Sequence, residues 1–180
     1  QWRSKGCTKA CLDTAGRGQM QFTQDSRIAK TKRFFEDRIG FMAQLVTELG
    51  NAIKLATKKE MTAVFRPNLT SDLTWEDIDS GNGKTIMEQY PETQFYDYTK
   101  GFGRMAKFLN GDFPVNYHLT FSRSEHNETL CDTILAMGGN VAVVFRDQLP
   151  ATWKGFEVVN GDANDLRFLD KQGGYVVGLI

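Results

Sequence analysis

The spacing of apolar residues divides the chain into a helical N-terminal part and a longer part rich in strands. From residue 28 to 35, and again from 39 to 56, apolar residues recur at spacings of three and four, the period of an amphipathic helix. We therefore expect two helices, the first capped by Thr23 or Asp25. We expect one domain with three regions: a cysteine loop at 1–19, a helical region at 20–60 and a β/α region at 61–180.

Beyond residue 60 the pattern changes to that of β-strands. Six short runs are rich in β-branched and aromatic residues, and helical stretches separate several of them. The six runs are residues 62–68, 94–99, 116–122, 140–145, 156–160 and 175–180. Residues 102–109 and 125–137 are predicted helices, the second ending at the glycine pair that follows it. This alternation of strands and helices predicts parallel βαβ units in an α/β protein.

Polar residues gather directly after five of these strands. A doubly wound open sheet and a β/α barrel both fit the alternation, but in a barrel the strand ends converge on one face, where active sites are built. Because a full barrel needs ~250 residues, we expect an incomplete parallel barrel of about six strands with two N-terminal helices. The residues expected to line its cleft are Arg66, Asn68, Ser71, Asp72, Asp97, Lys100, Ser122, Arg123, Glu125, Asn160 and Asp162. Such a set suits an anionic or zwitterionic ligand.

Composition limits the location and the partners. The 22 Lys and Arg residues balance 22 Asp and Glu residues, and 41% of the residues are apolar, as in ordinary globular proteins. No apolar run approaches the ~20 residues that span a bilayer, and no secretory signal follows Gln1. An odd set of three cysteines favours a reducing compartment, so we expect a cytoplasmic protein without a membrane partner. Residues 1–33 are basic.

Cys7 and Cys11 lie four residues apart in a glycine-rich loop with nearby cations. The spacing suits two ligands of a metal or cluster, with the cations favouring the thiolate form. Two buried or free thiols and a disulfide remain alternatives, because two ligands alone do not complete a zinc or iron–sulfur site. Cys131 falls among apolar residues of a predicted helix, and we expect it to be a buried, inert thiol.

Both histidines fall in residues 116–128. His118 lies in a predicted strand, on the same face as Thr120 and Ser122, and a hydrogen-bonded structural role is expected for it and for His126. No nucleophile-elbow motif accompanies them, so nothing supports a Ser–His–acid triad.

Two glycine-containing motifs are weak evidence for phosphate or nucleotide binding. GNGK at 81–84 lacks the spacing of a phosphate-binding loop and predicts a turn. GFGR at 101–104 is too short for a dinucleotide fingerprint, although a glycine-rich helix start can help to bind an anion.

Six segments form an ordered series along nearly the whole chain. They are ACLDTAGRG (10–18), RPNLTSD (66–72), QFYDYTK (94–100), NYHLTFSRSEHNE (116–128), NVAVVFRD…LPATWKG (140–155) and VVNGDANDLRFLD (158–170). Together they resemble the gene product 88 family of bacteriophages and prophages. The resemblance implies a phage-encoded protein in the infected host cell and, because family members carry a further cysteine upstream, a third thiolate before Gln1. A chain that does not begin with Met is expected to be a fragment.

Cys7 and Cys11 also resemble the first two positions of the Cys-x3-Cys-x2-Cys motif of radical S-adenosylmethionine enzymes. Those enzymes hold a [4Fe–4S] cluster by three thiolates and fold as partial barrels. The third position corresponds to Thr14 here, which departs from the motif. The resemblance implies a [4Fe–4S] cluster and S-adenosylmethionine as cofactors, with S-adenosylmethionine in the cleft at the strand ends.

These observations lead to one functional hypothesis and two alternatives. The first is a phage-encoded iron–sulfur protein of the radical S-adenosylmethionine type that acts on an unidentified substrate. The second is a non-catalytic phage protein that binds nucleic acid or a phage or host protein, with Cys7 and Cys11 holding a structural zinc ion. The third is a metal-dependent hydrolase that uses the Asp, Glu and His residues at the strand ends.

Overall fold

A computed structural model describes residues 16–180, in which two long helices follow a short 3-10 helix at Gly16–Gln19. α1 spans Gln21–Glu36 and α2 spans Arg38–Lys58. Asp37, between them, accepts a hydrogen bond from the Gly40 amide at 2.9 Å and caps α2. The two predicted helices are confirmed, but α1 begins before Thr23 and Asp25. Neither of these residues caps it, because the chain is already helical from Gln21.

The remaining elements alternate between strands and α-helices as far as Val144, after which three more strands follow. In chain order they are β1 (Val64–Phe65), α3 (Ile86–Gln89), β2 (Gln94–Thr99), α4 (Phe102–Leu109), β3 (Tyr117–Ser122), α5 (Glu128–Ala136), β4 (Val141–Val144), β5 (Thr152–Trp153), β6 (Phe156–Asn160) and β7 (Val176–Leu179). The strands form one sheet in the order β1-β2-β3-β4-β7-β6-β5. Every neighbouring pair is parallel except the β5–β6 hairpin.

This architecture confirms the predicted α/β class with a mostly parallel sheet. Within residues 16–180 the sheet has seven strands rather than about six, and it is not closed. The incomplete barrel stays a prediction. β5 was absent from the prediction because it is two residues long and gains its partner only through a hairpin. β1 is shortened to Val64–Phe65, since Pro67 cannot donate to a ladder hydrogen bond. Strands β1 to β4 follow one another in chain order, which places their carboxyl ends side by side.

Side chains alternate between two faces of this sheet. The helix-side face carries Phe95, Leu119 and Phe121, which are completely buried in a core shared with Met105 of α4 and Ile134 of α5. Helices α4 and α5 pack on this face. This packing on the helix-side face therefore fixes α4 and α5 relative to the strand ends that precede them.

The opposite face, here called the inner face, carries Tyr96, His118 and Thr120. It is covered by the connection from β6 to β7, in which Gly161–Ala163 and Arg167–Leu169 form short 3-10 helices. Arg167–Leu169 packs directly on β2 and β3. A connection rather than a long helix covers this face, so polar side chains of the loop reach the middle of the sheet.

The GNGK segment forms the turn that the sequence predicts. The Asp79 carboxylate accepts hydrogen bonds from the amides of Gly81, Asn82 and Gly83. Gly81 and Gly83 have φ values of 110° and 75°, which glycine adopts without strain. The amides of this loop are therefore occupied by the protein's own carboxylate. Among residues 16–180, no helix combines the length and apolar character needed to cross a membrane.

Candidate functional site: polar groups at the strand ends and on the inner face

Asp97 of β2 is a completely buried carboxylate on the helix-side face. It accepts hydrogen bonds from the Asn68 amide at 2.9 Å, from Asn68 Nδ2 at 3.1 Å and from the Tyr117 hydroxyl at 2.5 Å. Burial raises the pKa of Asp97 to about 7, although these donors and the nearby Arg104 act in the opposite direction. Asp97 therefore ties β2 to β3 and to the loop after β1.

Arg104 of α4 connects this carboxylate to two others. Its guanidinium forms ion pairs with Asp72 at 2.9 Å and with Glu76 at 2.7 Å, and it donates to the Tyr117 hydroxyl at 2.6 Å. The Arg104 and Glu76 side chains are 6% and 5% exposed. Because charges this deep are costly unless they are paired, the network holds the loop after β1 against α4.

The loop from Asn68 to Asp72 is organised by its own polar side chains. Asn68 Oδ1 accepts hydrogen bonds from the Ser71 hydroxyl at 2.6 Å and from the Trp75 indole at 3.1 Å. The Asp72 carboxylate accepts from the Thr99 hydroxyl and from the Lys100 amide, both at 2.9 Å. Four predicted site residues, Asn68, Ser71, Asp72 and Asp97, thus form one network whose hydrogen bonds are made within the protein.

Arg66 follows β1 and faces the end of β2. Its guanidinium forms an ion pair with Asp165 at 2.9 Å and lies 4.6 Å from the centre of the Tyr98 ring. The hydroxyls of Tyr96 and Tyr98 donate to the same carboxylate at 3.4 and 3.3 Å. Burial and the Asp165 charge raise the pKa of Tyr98 to about 12. The β6–β7 connection therefore closes over the carboxyl end of β2 through a single aspartate.

Three polar side chains on the inner face have buried atoms without a hydrogen-bond partner among the residues that the structure describes. These atoms are His118 Nε2, Thr120 Oγ1 and Arg167 Nε. Thr120 and Arg167 are completely buried. Burial, and to a smaller extent Arg167, lowers the pKa of His118 to about 4, so the imidazole is neutral at pH 7. The predicted hydrogen bond of a structural histidine is therefore missing at Nε2.

Arg167 itself is held by the loop that carries it. Nη2 donates to the carbonyl oxygens of Gly161, at 2.8 Å, and of Asn164, and Nη1 forms an ion pair with Asp170 at 3.1 Å. Burial raises the pKa of Asp170, partly offset by Arg167. The guanidinium thus presents a fixed positive charge beneath β2 and β3, with one edge that the loop does not satisfy.

The other predicted site residues occupy two separate places. Arg123, after β3, pairs with Glu128 at 3.0 Å and lies beside the Trp153 ring, while Glu125 is exposed. Ser122 precedes this pair at the end of β3 and is half-buried.

Across the sheet, Asn160 accepts from the Asp162 amide at 2.9 Å, and Asp162 accepts from the Ile180 amide at 2.9 Å. The strand-end residues share one edge of the sheet, but they form four local groups rather than one continuous cluster.

The predicted metal ligands Cys7 and Cys11 lie outside the described residues. Cys131 is completely buried in α5, as predicted, and burial raises the pKa of its thiol to about 11. Among residues 16–180, no three His, Cys, Asp or Glu side chains are grouped so that they could hold a metal ion.

Sequence reasoning missed Arg104, Arg167 and Asp165. Arg104 had a usable signal, because it lies four residues before Phe108 and so on the same side of the helix as that apolar residue, and a cation on the apolar side of a helix needs a partner. Asp97 shares its strand face with Phe95, since side chains two apart point to the same side. Arg167 and Asp165 lie in irregular chain, where no periodicity indicates orientation.

An open, mostly parallel α/β sheet with polar residues at its carboxyl edge and a loop-covered inner face defines the class of this protein. The sequence profile of the gene product 88 family matches residues 1–179. The chain therefore belongs to the gene product 88 family. No curated protein and no solved structure matches the chain.

Proposed function

We propose that this protein is a phage-encoded iron–sulfur protein of the radical S-adenosylmethionine type, which acts on a substrate still to be identified. Cys7 and Cys11 would hold a [4Fe–4S] cluster together with the further thiolate that the family resemblance implies. The observation that carries the proposal is the set of buried, unpartnered polar atoms at His118, Thr120 and Arg167 on the inner face. In a partial β/α barrel this face is the interior.

The chemistry of these groups fits S-adenosylmethionine. The cofactor carries a carboxylate, an ammonium group and ribose hydroxyls. A fixed guanidinium complements a carboxylate, and a neutral imidazole and a hydroxyl can each donate to or accept from ribose or amino-acid groups. An unsatisfied buried polar atom costs about 1–3 kcal/mol, so a ligand that pairs with these atoms would recover that cost on binding.

The chain's own contribution is to bind S-adenosylmethionine and to orient it. A reduced cluster of this type supplies an electron to S-adenosylmethionine, and that chemistry belongs to the cluster and the cofactor. Arg167 provides a positive charge. Its side chain is held in place by a hydrogen bond to the Gly161 carbonyl oxygen and by the ion pair with Asp170. His118 stays neutral at pH 7 because its pKa is about 4, so it can accept a hydrogen bond without adding a second positive charge. Tyr96 and Phe168, with ring centres 5.6 Å apart, exclude water from one side.

The first test asks whether the protein holds iron. The natural full-length protein, purified without oxygen, should be brown, with visible absorption and iron and sulfide in cluster amounts. Cys7→Ala and Cys11→Ala should abolish the absorption. Cys131→Ala is the matched control and should keep the colour. The Cys131 thiol is completely buried, and burial raises its pKa to about 11, so it is not expected to bind the cluster as a thiolate. A colourless, iron-free wild-type protein that contains zinc would overturn the proposal.

The second test asks whether S-adenosylmethionine uses the inner face. Isothermal titration without oxygen should show binding to the wild type and at least about tenfold weaker binding to Thr120→Val, which keeps the shape and removes the hydroxyl. Ser124→Ala, outside this face, should bind as the wild type does. Equal affinity for wild type and Thr120→Val would show that the cofactor, if it binds, lies elsewhere.

Two observations favour the second candidate, a non-catalytic protein that binds nucleic acid through its basic N-terminal part, with zinc at Cys7 and Cys11. α1 exposes Lys30, Lys32 and Arg33 on its surface, and Thr14 stands where the radical motif has cysteine. Binding to DNA that falls steeply with salt, by a protein that contains zinc and no iron, would support this candidate.

A further inference from the structure

A cavity of about 470 Å³ lies between the α1–α2 pair and the edge strand β1. His118, Thr120 and Arg167 do not line it, although its lining residue Arg66 pairs with Asp165 of the connection that carries Arg167. Its size falls within the range of pockets that bind small molecules, roughly 300–1,000 Å³. It borders the Asn68 network at Trp75, whose indole donates to Asn68 Oδ1.

The deeper wall of this cavity is apolar and rich in aromatic rings. Its members come from α2, β1, β2, α3 and the loop after β1: Phe41, Leu45, Phe65, Trp75, Ile86 and Phe95. Trp75, Ile86 and Phe95 are buried, so this wall is part of the rigid core. Aromatic walls of this kind favour a flat ring system, which can stack or pack edge-on against them.

The rim of the cavity is positively charged. Lys30 and Arg33 of α1 and Arg66 after β1 line it, against one acid, Glu48 of α2. Arg66 Nε is buried without a hydrogen-bond partner among residues 16–180. The lining itself therefore carries three cations and one carboxylate. Arg66 and Arg33 also pair with Asp165 and Asp37 outside the lining, but these two carboxylates are 57% and 58% exposed, and a phosphate can compete with such exposed ion pairs.

We propose that this cavity binds a planar aromatic anion of about the size of a nucleoside monophosphate. The ring system lies against the aromatic wall, and the phosphate lies at the rim beside Lys30, Arg33 and Arg66. The proposal does not depend on an iron–sulfur cluster or on S-adenosylmethionine. A free nucleotide and the terminal nucleotide of a strand offer the same chemistry.

The probe is adenosine 5′-monophosphate, titrated calorimetrically into the wild-type protein at low salt. Adenosine supplies the ring without the phosphate, and inorganic phosphate supplies the anion without the ring. The monophosphate should bind at least about fivefold more tightly than either, because both parts of the cavity contribute. A 5′-phosphorylated short oligonucleotide, titrated in parallel, identifies the source: tighter binding than the monophosphate indicates a strand end, and weaker binding indicates a free nucleotide.

Two variants of opposite expected sign make the test independent of folding defects. Lys30→Gln should weaken binding of the monophosphate at least about threefold, and Glu48→Gln should strengthen it by a similar factor, since it removes the carboxylate from the rim. Lys32→Gln, on the same helix but outside the cavity lining, is the control and should bind as the wild type does. Monophosphate binding no tighter than adenosine binding, or identical affinities in Lys30→Gln and Glu48→Gln, would overturn the proposal.

Discussion

The Tyr117 hydroxyl donates a 2.5 Å hydrogen bond to the Asp97 carboxylate across the neighbouring parallel strands β3 and β2. The same hydroxyl accepts from Arg104 at 2.6 Å, so it joins a buried acid to a buried cation. Burial raises the pKa of Asp97 to about 7 and raises the pKa of Tyr117 well above its usual value. The ionisation of one carboxylate is thereby coupled to the packing of β2, β3 and α4.

This coupling predicts that stability falls as the pH rises from about 4 to about 7. In that range the unfolded chain loses the Asp97 proton while the folded chain keeps it, so the folded state binds more protons. Below pH 4 both states are protonated, and above pH 7 the cost is constant. The expected loss is a few kcal/mol at most. Urea unfolding of the wild type and Asp97→Asn at several pH values should show a flatter profile for the variant in this window; parallel profiles would contradict the assignment.

Arg104 is the second residue whose removal should be costly. Arg104→Gln leaves the buried Glu76 and the half-buried Asp72 without their cation, and about 3–5 kcal/mol of unfolding free energy should be lost. Arg123→Gln is the matched control, because its partner Glu128 is 48% exposed and such pairs contribute about 1 kcal/mol or less.

Chemical denaturation of both variants provides the measurement. The double variant Arg104→Gln/Glu76→Gln should lose less unfolding free energy than the sum of the losses in its two single variants. Each single variant leaves one charge of the pair buried and unpaired, whereas the double variant removes both charges. Additive losses would show that the Arg104–Glu76 ion pair is not the source of the effect.

The parts of the fold that follow from local pattern were predictable. β2, β6 and α4 have the predicted bounds, because Gln94–Thr99 and Phe156–Asn160 are rich in strand formers and Phe102–Leu109 repeats with the helical period. The position of β7 between β4 and β6 was not predictable, since it depends on pairing between residues far apart in sequence. Tertiary contacts, rather than propensity, decide such an order.

The same distinction applies to the candidate site. Polar residues after the strands were found by position alone, and they do share one edge of the sheet. Their division into separate groups depends on Arg104, which draws Asp72 and Asp97 into the protein, and on Asp165, which draws Arg66 across β2. Those long-range partners have no signature in the spacing of the strand-end residues.

Two threonines of neighbouring strands should respond to the same substitution in opposite ways. Both side chains are buried, but the Thr99 hydroxyl donates to Asp72 and accepts from the Gly101 amide, whereas Thr120 Oγ1 is unpartnered among the described residues. Thr120→Val should raise the free energy of unfolding by about 1 kcal/mol, and Thr99→Val should lower it by about 1–3 kcal/mol. Thermal unfolding without added ligand measures both. Destabilisation by Thr120→Val would indicate a hydrogen bond at this hydroxyl.

Gly161 allows the β6–β7 connection to approach the inner face. A Cβ atom there would lie 2.6 Å from Val177 Cγ1 and 2.8 Å from Arg167 Nη1. Gly161→Ala should therefore cost about 1–3 kcal/mol through overpacking. Because the clash displaces the Arg167 guanidinium, it should also weaken S-adenosylmethionine binding if the inner face is the cofactor site.

Gly103→Ala is the control for this substitution. Gly103 is exposed in α4 with no atom within 4 Å of an added Cβ, so alanine should stabilise the helix by up to about 1 kcal/mol. Urea unfolding of the two variants should therefore move the midpoint in opposite directions. A neutral Gly161→Ala would mean that the connection can move away from the sheet, and Arg167 would then not be a fixed charge on the inner face.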